Sequence, residues 1–153
     1  MENQLADFIR SRREKSGGPK IDWQARKNEW ISSVEQLYVF VEELLRDAID
    51  TNDVTIQTID FGISEQFVGQ YHIPALELNI GGELVEFRPQ GISIIGAAGR
   101  VDIRGEMGIV TLLFKSEAAI GSEWSVLLQR VPLRIVPLDQ DSLKDALERV
   151  MLP

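Results

Sequence analysis

The stretch Ala75-Leu-Glu-Leu-Asn-Ile-Gly-Gly-Glu-Leu-Val-Glu-Phe87 decides the fold. Alternating runs flank Gly81-Gly82, and alternation is the period of a strand with one buried face. A two-residue glycine loop between such runs predicts a hairpin, because type I′ and II′ turns need positive φ. Consecutive hairpins make an antiparallel sheet.

The pattern continues in both directions. Upstream, Val54-Thr-Ile-Gln-Thr-Ile-Asp-Phe61 alternates, with a phase slip at Thr58-Ile59. Downstream come short runs at 92–95, Arg100-Val-Asp-Ile-Arg104, 109–114, 124–129 and 133–136. Gly96-Ala-Ala-Gly99 and Gly105-Glu-Met-Gly108 separate three of them and read as paired hairpin turns. These signals predict a meander of six to eight strands.

Helices bound this meander. Residues 3–15 place Leu5, Phe8, Ile9 and Arg12 on one stripe, and Ser16-Gly-Gly-Pro19 ends the run. Residues 1–18 therefore read as a loosely tethered helix. Residues 22–49 form the strongest helix: Asp22 caps it, and Trp30, Val34, Leu37, Val41, Leu44 and Ala48 recur at steps of four and three. Val39 points the other way, and the helix should stop near Asp50-Thr51-Asn52, where asparagine accepts left-handed geometry. Residues 139–151 read as a last helix, capped by Asp139 or Asp141, with Leu143, Leu147 and Val150 on its apolar face. The expected architecture is a single α+β domain spanning 1–153: an antiparallel meander with two N-terminal helices and one C-terminal helix packed on it.

Composition narrows the functional classes. Among the 153 residues there is no cysteine, which excludes disulfides, thiolate catalysis and cysteine-ligated metals. The first residues lack a signal-peptide pattern, and no apolar run approaches ~18 residues, so a cytoplasmic location and no membrane partner are expected. Net charge is −8. Residues 1–27 carry seven basic against four acidic side chains, so the rest stands at −11. Between Arg46 and Arg88 there is no Lys or Arg but there are eight acids. Such a body repels nucleic acid, even with the basic arm Arg10-Ser-Arg-Arg-Glu-Lys15, and favours a basic protein partner.

Candidate binding residues are few. Arg100, Asp102 and Arg104 share one face of a strand, either as an anion clamp oriented by the central carboxylate or as a solvated charge ladder. His72 is the only histidine, which excludes paired-histidine metal sites, and reads as a loop residue before Ile73-Pro74. It could act with Asp60, Glu65 or Glu77 as orienter. The Gly96–Gly99 segment lacks the lysine and following helix of a phosphate loop, and the acids lack calcium-loop spacing. No cofactor or metal is expected, and no nucleophile–base set is legible.

The run Pro89-Gln-Gly-Ile-Ser-Ile-Ile-Gly-Ala-Ala-Gly-Arg-Val-Asp-Ile103, with Trp23, Trp30 and Trp124, resembles a family of small uncharacterised bacterial proteins. The resemblance implies a bacterial, cytoplasmic origin and carries no activity, cofactor or catalytic residue. The leading expectation is a non-enzymatic protein-interaction module with an acidic face, of the adaptor, inhibitor or immunity kind. The second is a protein that binds or hydrolyses a small anionic ligand through Arg100, Asp102, Arg104 and His72. The third is self-association through residues 109–114 or Val39.

Overall fold

The computed structural model describes residues 3–16, 22–92, 99–115 and 124–153. Seven strands form one open antiparallel sheet in chain order: β1 (Val54–Glu65), β2 (Gly69–Ile80), β3 (Glu83–Gly91), β4 (Gly99–Gly105), β5 (Gly108–Phe114), β6 (Trp124–Arg130) and β7 (Leu133–Pro137). Four helices accompany it: α1 (Gln4–Ser16), α2 (Trp23–Leu44), the short α3 (Arg46–Asp50) and α4 (Gln140–Val150). The α+β meander expected from the sequence is the architecture found. Of the expected strand at 92–95, Ile92 is a bend and the rest lies outside the described residues.

Local chemistry accounts for the element ends. Gly81 and Gly82 adopt φ 60° and 88°, the two positive values a type I′ turn requires. The Asp22 carboxylate accepts the Ala25 N–H at 3.0 Å and starts α2. Asn52 takes φ 63° where the helical segment ends. Asp139, not Asp141, caps α4: it accepts the Ser142 N–H at 2.8 Å while the Ser142 hydroxyl accepts the Asp139 N–H at 2.9 Å. The helix expected over 22–49 is divided at Leu45 into α2 and α3.

The core lies between one sheet face and α2 with α4. Trp30, Val34, Leu37, Tyr38 and Val41 of α2 and Leu143, Ala146 and Val150 of α4 are buried there. They meet Leu76, Leu78, Val85, Phe87, Val101, Ile103, Leu112, Phe114 and Val126, one alternate set per strand. Trp30, Phe114 and Trp124 form an aromatic cluster with ring centroids 5.3–6.4 Å apart. Val39 is exposed, as its position opposite the seam demands.

Gly105 and Gly108 bracket a hairpin turn as expected, pairing across Glu106-Met107, while 96–98 of the other expected turn lie outside the described residues. Gly99 and Gly105 themselves lie within β4, and neither has a positive φ. A Cβ on Gly99 would fall 2.2 Å from the Trp30 ring, and one on Gly105 2.3 Å from the Val150 carbonyl oxygen. Both are glycine because helices cross the strand there at backbone distance. Gly108, at φ 153°, does carry the turn around Glu106-Met107. One expectation is corrected: His72 is not in a loop, since β2 begins at Gly69 and His72 pairs across from Gly62.

The phase slip at Thr58-Ile59 also has a structural cause. The β1–β2 register runs unbroken from Val54↔Ile80 to Glu65↔Gly69. Its buried side changes, however: Ile56, Leu76 and Leu78 serve one face, and Phe61, Ile73 and Tyr71 the other. Pairing of β2 with β3 stops at Leu76↔Phe87. Beyond it Pro74 brings no N–H, and the Tyr38 hydroxyl donates to the carbonyls of Pro74 (2.8 Å) and Phe87 (3.4 Å) instead. Beyond the last β2–β3 pair, the two-stranded end buries its opposite face. Its far end is tied down by Glu65, whose carboxylate accepts the Tyr71 hydroxyl and, at 2.8 Å, the Ile92 N–H.

Candidate functional site

The predicted residues Arg100, Asp102 and Arg104 stand on the outer face of β4, away from the helices. Register places Arg88 and Thr111 beside Asp102, and Glu86 and Ile109 beside Arg104. The ladder is not uniformly solvated. Asp102 is buried, and its carboxylate accepts Arg100 Nε at 2.8 Å, Arg100 Nη2 at 3.0 Å and Thr111 Oγ1 at 3.1 Å. That bidentate hydrogen bond holds the Arg100 guanidinium above its ordinary pKa. Two of the Arg100 donor groups are therefore spent within the protein rather than presented to a ligand.

Arg104 differs. It is exposed and has no ion pair among the described residues. It borders a depression of about 330 Å³ with Leu84, Glu86, Arg88 and Glu106. Arg88 is bound to Glu86 at 2.8 Å and its guanidinium lies 5.3 Å from the Phe61 ring centre. Two guanidiniums and two carboxylates leave this depression balanced in charge. His72 is elsewhere: its Nδ1 pairs with Asp60 at 3.0 Å, both side chains exposed, on the part of the hairpin that has left β3. The structure brings Arg100 to Asp102 and leaves His72 apart from them. Glu65, proposed as an orienter, holds Tyr71 and Ile92 instead.

Asp102→Asn tests the ladder. The substitution aims amide hydrogens at a guanidinium and removes a charge-assisted pair worth about 1.5–3 kcal/mol when fully shielded. With the Arg100 side chain 35 % exposed, solvent screening reduces the expected loss to about 1–2 kcal/mol. Urea unfolding measures it, and a change below ~0.5 kcal/mol, the scatter of ordinary surface substitutions, would contradict a structural role for the pair.

The eight acids between Arg46 and Arg88 do not form one face. Asp60, Glu65, Glu77, Glu83 and Glu86 are distributed over β1–β3, where they contact His72, Tyr71, Gln57, the Leu152 N–H and Arg88 respectively. Asp47, Asp50 and Asp53 are exposed on α3 and the turn after it. Beside them lies a groove of about 530 Å³ between the α2–α3 junction and α4. Leu44, Leu45 and Ala48 form one apolar wall, and Leu143, Leu147, Met151 and Leu152 the other. Asp47, Asp141 and Glu148 stand on its rim against the single cation Lys144.

The groove exists because α2–α3 and α4 rest on the sheet without closing on each other. Among the described residues the Gln140 amide donates across the groove to the Leu44 carbonyl at 3.5 Å. Leu44 and Ala48 belong to the seam read from the sequence, and Leu147 to the α4 stripe. Their incomplete burial is what the sequence reading missed, and no signal in either helix marks it. No family model, curated protein or solved structure matches the chain. Among the described residues no group of three or more His, Asp or Glu side chains is placed to hold a metal, and no helix is long and apolar enough to cross a membrane.

Proposed function

We propose that this chain is a non-enzymatic protein-interaction module of the adaptor, inhibitor or immunity kind, which receives a basic amphipathic segment of its partner in the groove between α2–α3 and α4. The observation that carries this reading is the combination of apolar walls with a rim of three carboxylates and one lysine. Apolar walls supply affinity and the rim supplies orientation and encounter rate. A helix with hydrophobic anchors at i, i+3 and i+4 and arginines flanking them matches both. The occupied guanidinium of Arg100 supports this reading over the anion clamp, which would fall to Arg104 and its charge-balanced depression.

The test is capture from native lysate at low and moderate salt, with wild type beside Leu147→Glu. The variant puts a fourth carboxylate against the apolar wall and leaves the buried Leu143 in place. A partner retained by wild type, weakened as salt rises and lost from Leu147→Glu supports the proposal. Retention of no partner at low salt, or equal retention by the variant, refutes it. Circular dichroism confirms that both proteins are folded.

A further inference from the structure

We propose that the two free edges of the sheet join between copies of the chain, β7 of one copy adding as a strand beside β1 of the next. This surface is separate from the groove and does not depend on it.

Among the described residues no strand lies beyond β1 or β7. Each therefore leaves one side of its backbone without a ladder, and such an edge is a template for another strand. On β7 the free side belongs to Ile135. Leu138 donates its N–H to the Trp124 carbonyl at 3.1 Å, so Leu138 and Val136 face β6. Ile135, one position along, turns its N–H and C=O outward. Pro132 and Pro137 confine new pairing to the residues between them.

The side chains of the two edges match in one register. Val136 pairs with the buried Val126, so alternation puts Arg134 on the helix side of β7 and Leu133 and Ile135 on the outer side. By the same count Asp60 falls with Val54 and Ile56 on the helix side of β1. Ile59 and Phe61 fall on the outer side, where Arg88 reaches the Phe61 ring. As first and last of seven antiparallel strands, β1 and β7 run parallel. A second copy that continues the sheet with its helices on the same side thus lays its β1 parallel to β7. Setting Arg134 opposite Asp60 then sets Leu133 and Ile135 opposite Ile59 and Phe61. Leu133 and Ile135 are 68 % and 39 % exposed, and Ile59 and Phe61 are half-buried.

Charge selects unlike edges over like ones. Residues 54–80 carry Asp60, Glu65 and Glu77 and no Lys or Arg, while residues 108–115 and 124–137 carry Lys115, Arg130 and Arg134 and no acid. Arg134 is exposed and has no ion pair among the described residues. The exposed Asp60 carboxylate meets His72 through one oxygen, which leaves the other for a guanidinium. Pairing β7 with β7, or β1 with β1, would set like charges side by side. Joining unlike edges is head-to-tail and does not close at two copies.

A charge exchange tests the pairing. Arg134→Asp protein, Asp60→Arg protein, their equimolar mixture and wild type are compared by light scattering over a range of concentration at moderate ionic strength. The wild-type mass should climb past twice the monomer, and each variant alone should stay monomeric. The mixture should regain the wild-type behaviour, because every junction then has one acidic and one basic edge. Ile135→Pro removes the outward N–H without touching charge and should also stay monomeric. Circular dichroism confirms that each variant is folded. A wild type that is monomeric throughout, a mixture that fails to assemble, or an Ile135→Pro protein that assembles like wild type would overturn the proposal.

Discussion

Trp30→Ala is expected to lower the unfolding free energy by about 3–5 kcal/mol, the range for removing a large buried aromatic side chain. Trp30 is 1 % exposed and joins α2 to β5 and β6 through Phe114 and Trp124. Against a total of roughly 5–15 kcal/mol for a domain, that loss places the variant near unfolding at ambient temperature. The informative experiment is the cycle with Gly99. In the wild-type background Gly99→Ala forces a methyl group to 2.2 Å from the indole and should cost about 1–3 kcal/mol. In the Trp30→Ala background the same methyl enters space the indole has left, and the cost should nearly vanish. The interaction energy between the two sites is then about 1–3 kcal/mol, measurable by urea unfolding of four proteins. Additivity within ~0.5 kcal/mol would mean that glycine is required at this position for some other reason.

Above pH 10 the protein should lose stability steeply. Tyr38 and Tyr71 are the only tyrosines, and both are buried. Burial pushes the Tyr38 hydroxyl well above its ordinary range. Burial does the same to Tyr71, helped by its hydrogen bond to Glu65 and by that carboxylate's charge. A native pKa above the unfolded one means that the folded state holds the proton more tightly. The resulting stability is fully present below the unfolded value near 10 and is lost as pH rises toward the native values. Each tyrosine contributes up to ~1.4 kcal/mol per pH unit, so the pair removes about 4–5 kcal/mol between pH 10 and 12. Absorbance of tyrosinate at alkaline pH should therefore rise together with loss of the circular-dichroism signal. Ionisation of both tyrosines near pH 10 in a protein still folded would contradict the burial. Tyr38→Phe should halve the alkaline slope and, by deleting the hydroxyl that caps the Pro74 and Phe87 carbonyls, weaken the junction where β2 leaves β3.

Much of the architecture was legible because its causes are local. Gly81-Gly82 announced a two-residue hairpin turn, Asp22 and the Asp139–Asp141 pair announced caps, and the spacing of Trp30, Val34, Leu37 and Val41 announced the buried side of α2. Each signal acts through residues no more than a few positions apart. Even the slip at Thr58-Ile59 was visible as a break in period. Its cause was not, since that required β3 to stop at Phe87 and Tyr38 to arrive from a helix 36 residues before Pro74.

The candidate site was less legible for the same reason. Arg100, Asp102 and Arg104 were correctly placed on one strand face, but alternation says nothing about which of the three is covered. Thr111 and Arg88 enclose Asp102 from neighbouring strands, and Arg100 folds onto it. The acidic run seemed one feature when counted along the chain, and the hairpins scattered it. Gly99 and Gly105 show the limit most sharply: a glycine reads as a turn from its neighbours, while Trp30 and Val150 lie 69 and 45 positions away. Strand period, turn chemistry, caps and charge balance follow from neighbouring residues, so the chain alone specified an α+β meander with an acidic body. The gap between α2–α3 and α4, the buried carboxylate and the backbone-close helix crossings arise from packing between distant segments, whose volumes and approach distances leave no local mark.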